Sequence, residues 1–140
     1  MKKKTTFLIC LLLAFGIVFC GCKSPITVKR HPTNQPNTTW KTHDDFVTFY
    51  IDSNQRYPAY GILRTADRDI EIALRMSDVG TYVSFYYEDE YRNWNDTQVI
   101  YPFASGEGIA ESMDKFVIQI TSGDEYFEIG EKLVFYKMDN

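Results

Sequence analysis

The chain has 140 residues, 44% hydrophobic and 16% aromatic, with 15 basic and 19 acidic side chains and a net charge of −4; that length carries one domain and hardly two. All three cysteines, Cys10, Cys20 and Cys22, lie within the first 22 residues, so an exported, cleaved form has no internal disulfide and must rest on a hydrophobic core. Residues 39 to 140 hold 9 basic and 19 acidic side chains, a net −10, which repels phosphate backbones and argues against nucleic acid as a partner.

Residues 1 to 21 have the three parts of an export signal. Lys2, Lys3 and Lys4 form a positive start, and Phe7 to Phe19 is an apolar run of 13 residues. A membrane-spanning helix needs about 20. Phe19-Cys20-Gly21-Cys22 follows, and these residues resemble the lipobox of bacterial lipoproteins. Gly21 fits the small residue before the cut, and Cys22 fits the cysteine that takes the lipid. Cys20, where that family commonly has Ala or Ser, is a rival anchor, against which the bulky Phe19 before it counts. The resemblance implies a diacylglyceryl group on the Cys22 thiol and, on the freed amine, a further acyl chain. Each buried methylene contributes about 0.8 kcal/mol, so two or three chains hold a protein where one does not. The expected location is outside the cytoplasm, on the cell membrane or, in a two-membrane envelope, on the outer one.

Residues 22 to 38 read as the lipidated cysteine and a tether. Pro25, Pro32 and Pro36 stand among polar residues, with no hydrophobic period. Such a segment reaches roughly 20 to 24 Å as a flexible coil. Lys23, Lys29 and Arg30 can rest against anionic headgroups. His31 falls in this tether and is not expected to be a ligand.

From Trp40 onward the hydrophobic period is two, which predicts an all-β domain over residues 39 to 140. The clearest strand is Asp69 to Met76. Ile70, Ile72, Leu74 and Met76 point one way; Asp69, Glu71 and Arg75 point the other. Further strands are expected at Phe46 to Asp52, Ala59 to Thr65, Tyr82 to Glu88, Thr97 to Phe103, Lys115 to Thr121 and Lys132 to Met138. Tyr126 to Ile129 is a short eighth candidate. Turn residues separate them at Asp52-Ser53-Asn54, Ala66-Asp67-Arg68, Ser77 to Gly80, Ser105 to Gly108 and Ser122-Gly123-Asp124. Gly108 to Asp114 is the one stretch that suits a helical turn. Short connections make consecutive strands pair antiparallel, so seven or eight strands form a meander closing into a small sandwich or barrel.

A Trp, seven or eight strands and a closing strand near the C-terminus, Lys132-Leu133-Val134-Phe135-Tyr136-Lys137, resemble small all-β clostridial-type lipoproteins of unknown function. Lipocalin-like and other compact β-barrel families are a looser likeness. Neither carries a motif with assigned chemistry, so no functional residue follows from them.

The polar constellations are poor in chemistry. His43-Asp44-Asp45 lacks a second His or Cys to complete zinc geometry. Glu88 to Asp96 is rich in oxygen ligands, but its order does not fit an EF-hand loop; it reads as a solvated hairpin loop. His43 is the only histidine of the 39 to 140 segment, no cysteine follows Cys22, and no nucleophile elbow is present. No enzyme activity, metal or cofactor is expected.

The aromatic strand Tyr82 to Tyr87 carries Val83, Phe85 and Tyr87 on one face and Tyr82, Ser84 and Tyr86 on the other, with Tyr91 and Trp94 close behind. Either this is a central strand buried on both sides, or Tyr82, Tyr86, Tyr91 and Trp94 form a binding face, since Tyr and Trp favour interfaces. The function expected is a surface-tethered, non-enzymatic binding module for a protein or glycan. The alternatives are a lipocalin-like carrier of a small apolar ligand and a structural or inhibitory envelope lipoprotein.

Overall fold

A computed structural model of the chain describes residues 30–53, 58–77, 81–95 and 97–139. The expected export signal, Cys22 and the expected tether up to residue 29 lie outside them. Eight antiparallel strands follow one another around a closed barrel: β1 Thr38–Thr42, β2 Val47–Ile51, β3 Ala59–Arg64, β4 Asp69–Met76, β5 Tyr82–Tyr87, β6 Ala104–Ala110, β7 Lys115–Ser122 and β8 Lys132–Lys137. Each pairs with its sequence neighbours, and β1 closes on β8 through Trp40 opposite Lys137 and Thr42 opposite Phe135. The all-β meander expected from the sequence is therefore present, as a barrel. Among the described residues no helix is long and apolar enough to cross a membrane.

Alternation in sequence becomes alternation of faces. On β4 the pattern is exposed at Asp69, Glu71 and Arg75 and buried at Ile70, Ile72, Leu74 and Met76. An eight-stranded barrel encloses a space that side chains alone can fill. Here Trp40, Phe49, Phe85, Phe116 and Phe135 are fully buried, and all but Phe85 touch in series, beginning with Trp40 on Phe49. Phe49 lies 5.1 Å from Phe135, which lies 6.4 Å from Phe116. Phe46, Phe85 and Phe103 gather around Phe127, each in ring contact with it. Small residues make room for these rings. A Cβ on Gly108 would stand 2.4 Å from the Phe116 ring, and one on Gly61 only 2.1 Å from the Thr48 carbonyl oxygen.

Several expectations give way. No strand occupies 97–103, and no eighth strand forms at 126–129; the remaining pair of strands is β1 and β6. β6 runs through Ala104-Ser105-Gly106-Glu107-Gly108-Ile109-Ala110, where the composition suggests a turn and then a helical turn. These residues have weak intrinsic strand preference, and the neighbouring β5 and β7 impose the conformation by pairing on both sides. Glu88 to Asp96, expected to be a hairpin loop, instead begins with a helix, α1, Glu88–Arg92. Acidic residues fill its first turn and Arg92 ends it, the arrangement that the helix dipole favours.

The stretch expected to be a tether through residue 38 is folded from His31 onward. His31, Pro32, Thr33 and Gln35 are buried around a single 3-10 turn, Pro32–Asn34. The His31 ring stands edge-on to Phe116 at 5.1 Å, with Nδ1 2.8 Å from Thr33 Oγ1. Gln35 Nε2 donates to the carbonyls of Arg30 (2.8 Å) and Met113 (3.1 Å). This turn packs against Phe116 and the chain at Met113. The folded unit thus begins about eight residues before the boundary read from composition, because prolines that break periodicity also start 3-10 turns.

Candidate binding groove

The outer wall of β4, β5 and β6 is not a uniform polar surface. Pairing sets Arg75 opposite Ser84 and Ser84 opposite Ser105, a row of one guanidinium and two hydroxyls across three strands. Tyr82 and Tyr86 flank Ser84 on the same face of β5, one pleat to either side. Ser84 and Ser105 are buried even though they face outward.

The cover comes from α1 and the chain after it. The helix packs on β4 and β5 and is held at its end by Arg92, whose guanidinium pairs with Glu88 and lies 4.2 Å over the Tyr60 ring. This places the Tyr91 ring 5.3 Å from Tyr86 and 6.2 Å from Trp94. Trp94 is set in turn by its indole Nε1, which donates to the Gln98 carbonyl at 2.7 Å. Ala73 and Tyr86 are buried here outside the interior cluster, so the wall carries a second, smaller apolar layer.

Between these rings runs an open cleft of about 550 Å³ lined by Arg75, Ser77, Tyr82, Ser84, Tyr86, Tyr91 and Trp94, with Met76 at its edge. A smaller recess of about 200 Å³ continues past Trp94 to Gln98, Val99 and Ile100. Small-ligand sites occupy about 300–1,000 Å³. The four aromatic residues singled out by sequence therefore meet in one place, but in different roles. Tyr82 is 54% exposed and Trp94 39% exposed, Tyr91 is half-buried, and Tyr86 is only 9% exposed. Tyr86 is floor; Tyr82 and Trp94 are rims.

The electrostatics follow from this placement. Hydrogen bonding from Ser105 and then Ser84 holds the Tyr82 phenol below its usual pKa. Burial pushes the Tyr91 phenol up, and the nearby Arg75 charge pulls it partly back. Among the described residues Arg75 has no carboxylate within ion-pairing distance, while Arg64, Arg92, Lys41, Lys115 and Lys137 each have one. Arg75, Ser84 and Ser105 escaped sequence reasoning as site residues. The alternation on β4 and β5 places Arg75 and Ser84 on outer faces, but their alignment depends on strand register.

The remaining polar candidates have structural uses. In the β1–β2 turn, the Asp44 carboxylate accepts from the Phe46 backbone N–H at 3.2 Å. Hydrogen bonding from Thr42 holds its pKa low. Asp45, at φ 58°, pairs with Lys41 at 2.8 Å. In the 88–96 stretch, Glu88 is engaged by Arg92 and Asp89 accepts from the Glu90 N–H. Among the described residues no group of three or more His, Cys, Asp or Glu side chains could hold a metal ion.

No protein-family profile, no curated protein and no solved structure matches this chain. What fold and surface define is a closed eight-stranded antiparallel barrel with an aromatic cleft on its outer wall.

Proposed function

We propose that this chain is a non-enzymatic binding module, tethered to the bacterial envelope through Cys22, that holds its ligand in the cleft outside β4 and β5. The observation that carries the reading is the convergence of Tyr82, Tyr86, Tyr91 and Trp94 on one open cleft around Arg75. Exposed aromatic rims over a polar floor are costly to maintain for stability alone, since water covers neither ring face well. The tether rests on the lysines at 2 to 4, the 13-residue apolar run and Gly21-Cys22. A module held at the membrane surface gains effective concentration for partners in the same layer.

A closed eight-stranded meander is also compatible with a lipocalin-like carrier. That reading comes second because five aromatic side chains, with aliphatic ones around them, occupy the interior, where a carried molecule would have to sit.

Two indoles make the test direct. Trp94 lines the cleft, whereas Trp40 is buried in the barrel with its Nε1 donating to Thr38 Oγ1 at 2.9 Å. Isolated envelope material titrated into the protein is expected to move the Trp94 indole resonance and leave that of Trp40 in place. Equal movement of both, or of neither, refutes binding at the cleft.

A further inference from the structure

We propose that the ligand of this cleft is an acidic saccharide: a pyranose ring whose anionic group meets Arg75. The inference rests on the cleft being the binding site and names what enters it.

Three observations carry it. First, the cleft combines ring faces with hydroxyls. Tyr91 and Trp94 present flat apolar surfaces, and between Tyr82 and Tyr86 the floor is Ser84, opposite Ser105 on β6. The C–H face of a pyranose matches the rings while its hydroxyls match the floor. An apolar peptide side chain would cover the exposed Arg75 guanidinium and leave it without water or a partner, an unfavourable exchange.

Second, Arg75 lies in the same row as the serines, on the cleft lining, without an ion-pair partner among the described residues. A guanidinium offers a planar fork that suits a carboxylate, and adjacent hydroxyls complete the hydrogen bonding of the anion. Arg75 is the cleft's only cationic lining residue among those described.

Third, charge limits the size of the anion. Residues 39 to 140 carry a net −10, so a long polyanion is repelled by the domain as a whole. The repulsion scales with the ligand's charge, so a sugar with a single charge meets far less of it on reaching Arg75, and a cleft of about 550 Å³ is of small-ligand size. A carboxylate and a phosphate share this chemistry, and the probes separate them.

The experiment titrates glucuronate, galacturonate and mannuronate, each beside its neutral parent hexose and the hexose 6-phosphate, into the full-length protein. Affinity is read from the Trp94 indole resonance, with Trp40 as the internal reference. In at least one set the uronate is expected to bind about tenfold or more tighter than the neutral sugar, the scale of a charge-assisted hydrogen-bonded pair. Arg75→Gln should erase that preference, so that uronate and neutral sugar bind alike; Arg75→Lys should restore part of it. Preference for the phosphate in every set assigns the anion to a phosphosugar and overturns the carboxylate. Equal binding of charged and neutral members overturns the role of Arg75 while leaving a sugar-binding cleft. If no sugar moves Trp94 but envelope material does, the saccharide inference falls and the cleft stands. If a short acidic, aromatic peptide moves Trp94 where sugars do not, the ligand is a peptide. Unchanged unfolding of Arg75→Gln separates lost recognition from lost structure.

Discussion

Three neighbouring side chains on β5 make the division between core and cleft measurable. Phe85 points into the barrel and is fully buried, Tyr86 points out but is 9% exposed beneath α1, and Tyr82 points out and is 54% exposed. Phe85→Ala removes a ring in contact with Phe127 at 5.1 Å and Phe103 at 6.2 Å, and the closed barrel has little freedom to collapse around the void. It should cost about 3–5 kcal/mol. Tyr86→Ala removes a ring packed on Tyr91 in the outer layer and should cost about 1.5–3 kcal/mol, the scale of burying one large side chain. Tyr82→Ala gives up a mostly solvated ring and hydroxyl contacts with Ser105 and Ser84, about 0.5–1 kcal/mol. With an m-value of about 1.5 kcal/mol/M, urea midpoints fall by about 2–3 M, 1–2 M and under 0.7 M in that order. Urea unfolding of the full chain, followed by far-ultraviolet circular dichroism and Trp40 fluorescence, gives these values. Tyr82→Ala as damaging as Phe85→Ala would mean that both faces of β5 are core, and the cleft would lose its open rim.

Gly61→Ala places a methyl 2.1 Å from the Thr48 carbonyl and 2.9 Å from Phe49 Cα; since backbone must move, it should destabilise by at least about 1–3 kcal/mol in the same urea assay. Burial raises the Tyr87 phenol to about 12, with Tyr126 beside it adding to the rise. Its folded pKa therefore exceeds the unfolded value of about 10, so its contribution is complete below pH 10 and is lost as pH climbs toward 12; Tyr87→Phe should flatten the alkaline stability profile over that window, measured by thermal melts. Cys22→Ser should abolish incorporation of labelled fatty acid in the producing cell, and continued labelling would show the anchor to lie elsewhere.

Local pattern determined much of this protein. Alternation from Asp69 to Met76 and from Tyr82 to Tyr87 sorts side chains into two faces without any tertiary information, because successive side chains of a strand must point oppositely. The same property sets Tyr82 and Tyr86 on the face opposite Phe85, though only the barrel makes that face the outer one, and Tyr91 and Trp94 follow too closely along the chain to stand far away. The basic start, apolar run and Gly21-Cys22 are likewise readable residue by residue. Other features depend on partners distant in sequence. β6 is a strand because β5 and β7 pair with it, whereas Gly, Ser and Ala alone suggest a turn. His31 is buried because Phe116, far along the chain, offers it a surface. Barrel closure joins Trp40 to Lys137, a contact that no local preference encodes. The row Arg75, Ser84, Ser105 exists only at one register of three strands, since a slip of a single residue turns every side chain to the other face. Side-chain types and their alternation are local quantities and are written in the chain; register, closure and the meeting of distant groups are set by filling one interior with one set of rings, and that only the folded barrel decides.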